Sequence, residues 1–193
     1  MVQAAVLLKL VDAKSRLAPF LSLAQRQTLV LYMLSHVLNV LEDMHTPILT
    51  RSFYTLGTHS DEENINECIE VMRRSVDEDL VVVTSDLPFF SKEALQALTS
   101  EPDTLAIGPS HNGGTSGLFI PRSIDFTPLF GRGSLERHRL QSVEKGHTMR
   151  LVDMPAFRDV DIWEDVEWIF ENAPSSAIGR FLSGLVKRPI TAF

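Results

Sequence analysis

The stretch LVVVTSDLPFFSKEALQALTS, Leu80 to Ser100, decides the class of the fold. Leu80 to Thr84 is a short apolar run rich in β-branched residues, the pattern of a strand. A polar turn containing Asp86 and Pro88 ends it, and SKEALQALTS then has helical spacing with Ser91 placed as its cap. The same strand-then-helix unit recurs upstream. QAAVLLK (Gln3 to Lys9) reads as a buried strand, and SLAQRQTLVLYMLSHVLNVLED as a helix with Leu29, Val30, Met33, Leu34, Val37, Leu38 and Leu41 at helical intervals. Ser22 and Gln25 form a capping-box pair at its start, and Pro47 lies beyond its end. ILTRSFY is expected to be a strand and residues 64–75 a helix. Downstream, TLAIG and SGLFI are strands, residues 135–145 a helix stopped by Gly146, TMRLV a strand and residues 162–172 a helix. Alternation of this kind, without internal repeats, predicts an α/β sandwich.

The chain's 193 residues, 44% of them apolar, suit one domain spanning residues 1–193. Its last part, residues 175–193, forms a helical tail: Ala177, Ile178, Phe181, Leu182, Leu185 and Val186 share a face, with Ser175 or Ser176 as cap. That face needs a partner, either the sheet or a second subunit. A net charge of −7 from 25 acidic and 18 basic residues argues against a generic nucleic-acid surface, while leaving room for a local basic pocket. The single cysteine, Cys68, cannot form an intrachain disulfide. The N-terminal apolar run is too short to cross a membrane and lacks a cleavage pattern, so a cytoplasmic protein is expected.

In open α/β sheets, ligands sit beyond the carboxyl ends of the strands. Asp86 follows one strand, and DVDIWEDVEW (Asp159 to Trp168) follows the TMRLV strand, so Asp86, Asp159 and Asp161 can converge on a metal ion. The same residues also suit humbler work, Asp159 and Asp161 as helix cap and dipole partner, Asp86 as a turn residue. KLVDAKSRL puts Lys9, Lys14 and Arg16 in the first strand-to-helix connection, where three cations suit a polyphosphate or form a solvated turn. No Walker-type glycine run is present. HNGGTSG and FGRGS offer backbone N–H groups to an anion, or serve only as tight turns.

Taken in order, VLLKLVDAKSRLAP, INECI, VVVTSDLPFFS, NGGTSGLFI, FGRGSLERH and DVDIWEDV resemble the 2-phospho-L-lactate guanylyltransferase family (CofC, FbiD) over nearly the whole chain. The resemblance implies a Rossmann-like three-layer α/β/α sandwich of the glycosyltransferase A-type nucleotidyltransferase kind. It implies transfer of GMP from GTP to the phosphate of 2-phospho-L-lactate or phosphoenolpyruvate, with release of pyrophosphate, in coenzyme F-420 biosynthesis. Lys9, Lys14 and Arg16 would hold the triphosphate as catalytic cations, with Asn66 near the nucleotide. Asp86, Asp159 and Asp161 would hold Mg²⁺. Thr115, Gly131 and Ser134 match the positions for the phosphorylated acid, and Arg137 and His138 the family's RH pair behind them. A homodimer is implied, with neither nucleic acid nor membrane as partner. The chain departs from the family at Ser116, where asparagine is usual, and in the short GTHSDEEN segment before Ile65. A related nucleotidyltransferase with another base or acceptor, or a non-catalytic nucleotide-binding module, are the alternative expectations.

Overall fold

A computed structural model describes residues 2–9, 13–49 and 61–186 of the chain. Six strands form one mixed sheet in the order β2-β1-β3-β5-β4-β6. They are β1 (Val2–Leu7), β2 (Ile48–Leu49), β3 (Asp79–Thr84), β4 (Leu105–Pro109), β5 (Thr115–Ile120) and β6 (Met149–Leu151). All neighbouring pairs are parallel except those of β5, which runs antiparallel to both β3 and β4. The carboxyl ends of the parallel strands therefore share one edge with the start of β5. This puts Thr115 on the same edge as Asp86.

The strand expected at ILTRSFY is present at Ile48–Leu49; its remainder lies outside the described residues. The helices are α1 (Leu23–Asp43), α2 (Asp61–Arg74), α3 (Lys92–Thr99), α4 (Ser134–Glu144), α5 (Trp163–Asn172) and α6 (Ala177–Leu185). The capping box expected at α1 is formed: Ser22 Oγ accepts the Gln25 N–H, and Gln25 Oε1 accepts the Ser22 N–H. Ser91 likewise caps α3, and Ser176 caps α6.

The period-two alternation of β3 explains the layering. Val81 and Val83 pack with α1 and α3 residues such as Val37, Leu41 and Leu95, while Leu80 and Val82 pack with Ile69, Met72 and Phe126 on the other face. Both faces are covered, which is why β3 reads as a continuous apolar run. A third cluster joins Leu29 and Met33 of α1 to Val166 and Ile169 of α5 and Ile178 and Leu182 of α6. The apolar face of the described part of the tail, residues 175–186, thus meets α1 and α5 rather than the sheet; residues 187–193 of the expected tail lie outside the described residues. No helix among the described residues is long and apolar enough to cross a membrane.

One close approach fixes where the segment after β6 runs. Gly108 and Gly117 face each other across β4 and β5, and the fully buried ring of Phe157 lies on the flat patch they leave. A Cβ at Gly108 would stand 2.5 Å from Phe157 Cδ1, and one at Gly117 2.7 Å from Phe157 Cε1. Anchoring Phe157 here sets the start of the Arg158–Asp161 segment.

Gly108→Ala should therefore destabilise the fold by about 1–3 kcal/mol, the usual cost of overpacking a filled core. Phe157→Leu in the same chain should recover part of the loss. Urea denaturation of the single and double variants measures both, and a Gly108→Ala midpoint equal to the parent would contradict the packing argument.

Candidate active site

Three connections meet at the carboxyl edge of the sheet. The first follows β1 and enters a single 3-10 turn, Ser15–Leu17, with Lys14 at its start in the left-handed conformation (φ 53°, ψ 43°). That backbone is rare for a residue with a Cβ and costs on the order of 1–3 kcal/mol, so the surroundings must hold it. They do so through charge: the Lys14 ammonium donates to Asp86 Oδ2 and lies 3.6 Å from Asp161 Oδ1. The Lys14 side chain is only 8% exposed, so its charge must be met by these carboxylates rather than by water. Arg16, largely exposed, donates to the other oxygen of Asp161.

Asp86 stands just beyond β3, where Ser85 N–H still donates to Leu7 O and prolongs the β1–β3 pairing. The third connection carries Asp159, Val160 and Asp161. Val160 is buried in the cluster of α1, α5 and α6, and its N–H donates to Asp86 O at 3.3 Å. With Val160 turned into the core, the flanking acids both stay at the site edge.

Burial opposes the Lys14 charge, but Asp86, Asp161 and Asp159 outweigh it and raise its pKa. Burial likewise pushes Asp86 up, and Lys14 prevails to bring it below the usual carboxylate range. Asp159 goes the other way: burial and the neighbouring Asp86 charge raise it, against Lys14 and His111. Two carboxylates that press on one another in this way suit an added cation. Asp86 Oδ1 is buried and accepts no hydrogen bond among the described residues. Asp159 Oδ1, 3.0 Å from His111 Nδ1, lacks hydrogen-bond alignment and also keeps its lone pairs. Hard oxygen donors in this setting fit Mg²⁺, and Asp86, Asp159 and Asp161 are the residues that would hold it. Among the described residues, no three acidic, histidine or cysteine side chains are gathered as a ready cluster, since Lys14 lies between Asp86 and Asp161.

The expectation that Asp159 or Asp161 caps α5 is corrected. The N-cap is Ile162, and the buried Asp165 serves the helix start by accepting N–H bonds from Asp161 (2.8 Å) and Ile162 (3.0 Å). Asp165 also accepts from Arg158 Nη2 at 3.2 Å, and His111 Nε2 lies 2.9 Å from its Oδ1. His111, Arg158 and Asp165 are the residues that sequence reasoning missed. Asp165 had a signal, an acidic residue three positions after the cap; His111 had none beyond its place before two glycines.

A second cluster sits beside the first. Thr115 opens β5, Ser134 opens α4, and both are buried with His138. Ser134 Oγ donates to Thr115 Oγ1 at 3.1 Å, and His138 Nδ1 lies 3.0 Å from the same oxygen. Gly131 (φ 122°) and Gly133 (φ 66°) take backbone conformations that L side chains avoid, which lets the turn lead straight into α4. Asn66, expected near the nucleotide, grips this turn: its amide accepts the Phe130 N–H at 2.7 Å and donates to Phe130 O at 3.0 Å. Arg137 donates to the same carbonyl. Lys9 lies exposed two residues beyond β1, and residues 10–12 are outside the described chain.

The β4–β5 hairpin turn, Ser110 to Gly114, joins the clusters. On one side His111 and Asn112 reach Asp159; on the other Gly113 O accepts the Leu135 N–H of α4, and the chain passes directly into Thr115. Ser110 Oγ accepts the Gly114 N–H at 2.9 Å and holds the turn closed.

Burial, then the Arg137 charge, lowers the His138 pKa from 6.5 to about 4. Between those values the unfolded chain binds more protons at this site than the folded one, so stability rises with pH and the full contribution is present above pH 6.5. On acidification from pH 6.5 to 4 this site alone should remove about 3 kcal/mol. Denaturant titrations of the parent and His138→Gln across that interval measure the difference. Parallel pH profiles would contradict it.

A family profile described as guanylyl transferase CofC-like matches residues 3–173. A 2-phospho-L-lactate guanylyltransferase of Methanosarcina mazei is 30% identical over 168 residues, covering 82% of this chain and 81% of the relative. A phosphoenolpyruvate guanylyltransferase of Roseiflexus castenholzii is 29% identical over 191 residues, covering 91% and 90%. In fold, the chain is similar to a nucleotide-diphospho-sugar transferase described from Desulfovibrio desulfuricans G20, with TM-score 0.75 at 14% identity over 95% of this chain and 94% of the other. A nucleotidyl transferase from Methanothermobacter has TM-score 0.51 at 14% identity, covering 89% and 96%. A profile match over residues 3–173, most of the chain, makes this protein a member of the CofC-like guanylyl transferase family.

Proposed function

We propose that the protein transfers GMP from GTP to the phosphate of 2-phospho-L-lactate or phosphoenolpyruvate, releasing pyrophosphate, within coenzyme F-420 biosynthesis. The observation that carries this reading is the juxtaposition of two unlike clusters through one hairpin turn. One is charged, with Lys14 and Arg16 against Asp86 and Asp161; the other is neutral and hydroxyl-bearing, with Thr115 and Ser134. The first suits a metal-bound polyphosphate and the second a small anionic acid. The names of the relatives, which differ between the same two acids, support this choice of acceptors.

In this reading an oxygen of the acid's phosphate forms a bond to the α-phosphorus of GTP, and the bond from that phosphorus to the β-bridging oxygen breaks in line. Pyrophosphate takes the electron pair. No covalent enzyme intermediate is needed, because the acceptor phosphate is already a nucleophile once oriented. Lys14, fixed by Asp86, presents a positive charge at a set position; Arg16, on an exposed arm, can turn from Asp161 to the phosphates. Asp86, Asp159 and Asp161 would hold Mg²⁺, which would supply Lewis-acid neutralisation of the phosphate charge. Thr115, Ser134 and the Gly131 turn take the acid, while Asn66 positions that turn from α2. A cytoplasmic setting and a homodimer belong to the same proposal. The half-exposed Leu23 and Leu31 on α1 support the dimer, which sedimentation velocity would test.

Incubation with each nucleoside triphosphate and with 2-phospho-L-lactate, phosphoenolpyruvate or 3-phosphoglycerate, following pyrophosphate, tests the reading. Release is expected with GTP and one of the first two acids. Release without any acid, or with none of the pairs, would defeat it.

Asp86→Asn and Asp161→Asn should each slow pyrophosphate release by orders of magnitude while the chain stays folded. Turnover close to the parent at saturating Mg²⁺ would remove the metal role. Lys14→Met and Arg16→Ala should weaken GTP binding more than acid binding, with effects that do not add because both cations serve one anion. Calorimetric titration with GTP in both variants measures this; unchanged affinities would reassign the cluster.

A further inference from the structure

His138 is fully buried on α4, behind Thr115 and Ser134, with the rings of Phe126 and Phe130 centred 5.6 and 5.4 Å from its own. Its two nitrogens meet different partners. The main-chain N–H of Leu129 points at Nε2 from 2.8 Å. A backbone amide can only donate, so Nε2 must present a lone pair. A neutral imidazole has one N–H, which then resides on Nδ1, 3.0 Å from Thr115 Oγ1. The apolar enclosure keeps the ring neutral, in line with its lowered pKa.

The proton order downstream follows by counting. Thr115 Oγ1 accepts from His138 Nδ1, and one further hydrogen bond of 3.1 Å links it to Ser134 Oγ. The two hydroxyls own two protons. One is used between them, donated by Ser134, and with His138 also donating to Thr115, the Thr115 proton is left to point away from the ring. The opposite tautomer would set N–H against N–H at Leu129 and draw the Thr115 proton inward.

We propose that His138 is a positioning residue whose fixed tautomer directs the Leu129–His138–Thr115–Ser134 chain outward, so that the acceptor subsite offers a hydroxyl donor to an anionic oxygen of the phosphorylated acid. The proposal deepens, and rests on, the assignment of Thr115 and Ser134 to the acid. An anionic acceptor oxygen gains from a donor presented in this way; an uncharged hydroxyl analogue gains less.

The two amide replacements separate the two halves of the ring. In His138→Gln the amide oxygen can take the place of Nε2 and accept the Leu129 N–H, leaving Thr115 without its donor. In His138→Asn the amide nitrogen can take the place of Nδ1 and donate to Thr115, leaving Leu129 unmatched. His138→Gln should raise the KM for the acid about tenfold, with the KM for GTP changed less than about twofold. His138→Asn should restore the KM for the acid toward the parent while melting lower than His138→Gln. Nitrogen-15 correlation spectra of the parent protein read the tautomer without any variant. A ring protonated at Nδ1 and bare at Nε2 is expected, and the reverse overturns the relay while leaving the acceptor assignment standing. If the tautomer is as stated but His138→Gln raises only the KM for GTP, the acceptor assignment falls and the proposal with it. Equal effects of the two amides on the acid would also overturn it.

Discussion

The buried ammonium of Lys14 is the constraint on which the site depends. A charge so far from water must be matched locally, and removing one partner of a buried pair typically costs several kcal/mol. Here the match comes from two loops distant in sequence: Asp86, after β3, and Asp161, ahead of α5. Satisfying one lysine therefore draws three connections to one edge of the sheet. The left-handed backbone at Lys14 belongs to the same arrangement, since only a well-held residue keeps that conformation. Charges placed in advance need little reorganisation when a polyphosphate arrives, which is the property a phosphorus-transfer site requires.

Two apolar or neutral devices keep the remaining parts in register with that lysine. Phe157, seated on the paired glycines of β4 and β5, delivers the Arg158–Asp161 segment to the right place. The buried carboxylate of Asp165 then gathers the N–H groups of Asp161 and Ile162 together with Arg158, and lies against His111, tying the segment to the start of α5 and to the hairpin turn. The hairpin turn at Ser110–Gly114 carries this order across to Thr115 and α4. The charged cluster on the strand-to-helix connections and the hydroxyl cluster at Thr115 and Ser134 are thereby linked through one strand pair.

The sheet and its helices were legible because their signals are local. Apolar β3, the Ser22–Gln25 capping box and the Ser91 cap need only neighbours in sequence to be recognised. The acidic pair at Asp159 and Asp161 was legible as a candidate, but its alternative employment as a helix cap was excluded only by Asp165, whose role depends on the entry angle of α5. His111 and Asn66 show the limit more sharply. Each acts through a partner many positions away, His111 on Asp159 and Asn66 on Phe130, and neither contact leaves a periodic trace in the sequence. Phe157 is hidden for a similar reason: its function lies in the glycines opposite, which read alone as weak points in two strands.

The central claim is that the phosphate of the acid, and not water, attacks the α-phosphorus of the nucleotide. Phosphorus-31 NMR of the reaction of GTP with phosphoenolpyruvate or 2-phospho-L-lactate tests it directly, using acid labelled with oxygen-18 in its phosphate. The account predicts two mutually coupled phosphorus signals from a new diphosphate diester, with the label retained at its bridging oxygen, alongside unlabelled inorganic pyrophosphate. GMP with pyrophosphate, or GDP with inorganic phosphate, and no coupled pair would contradict it.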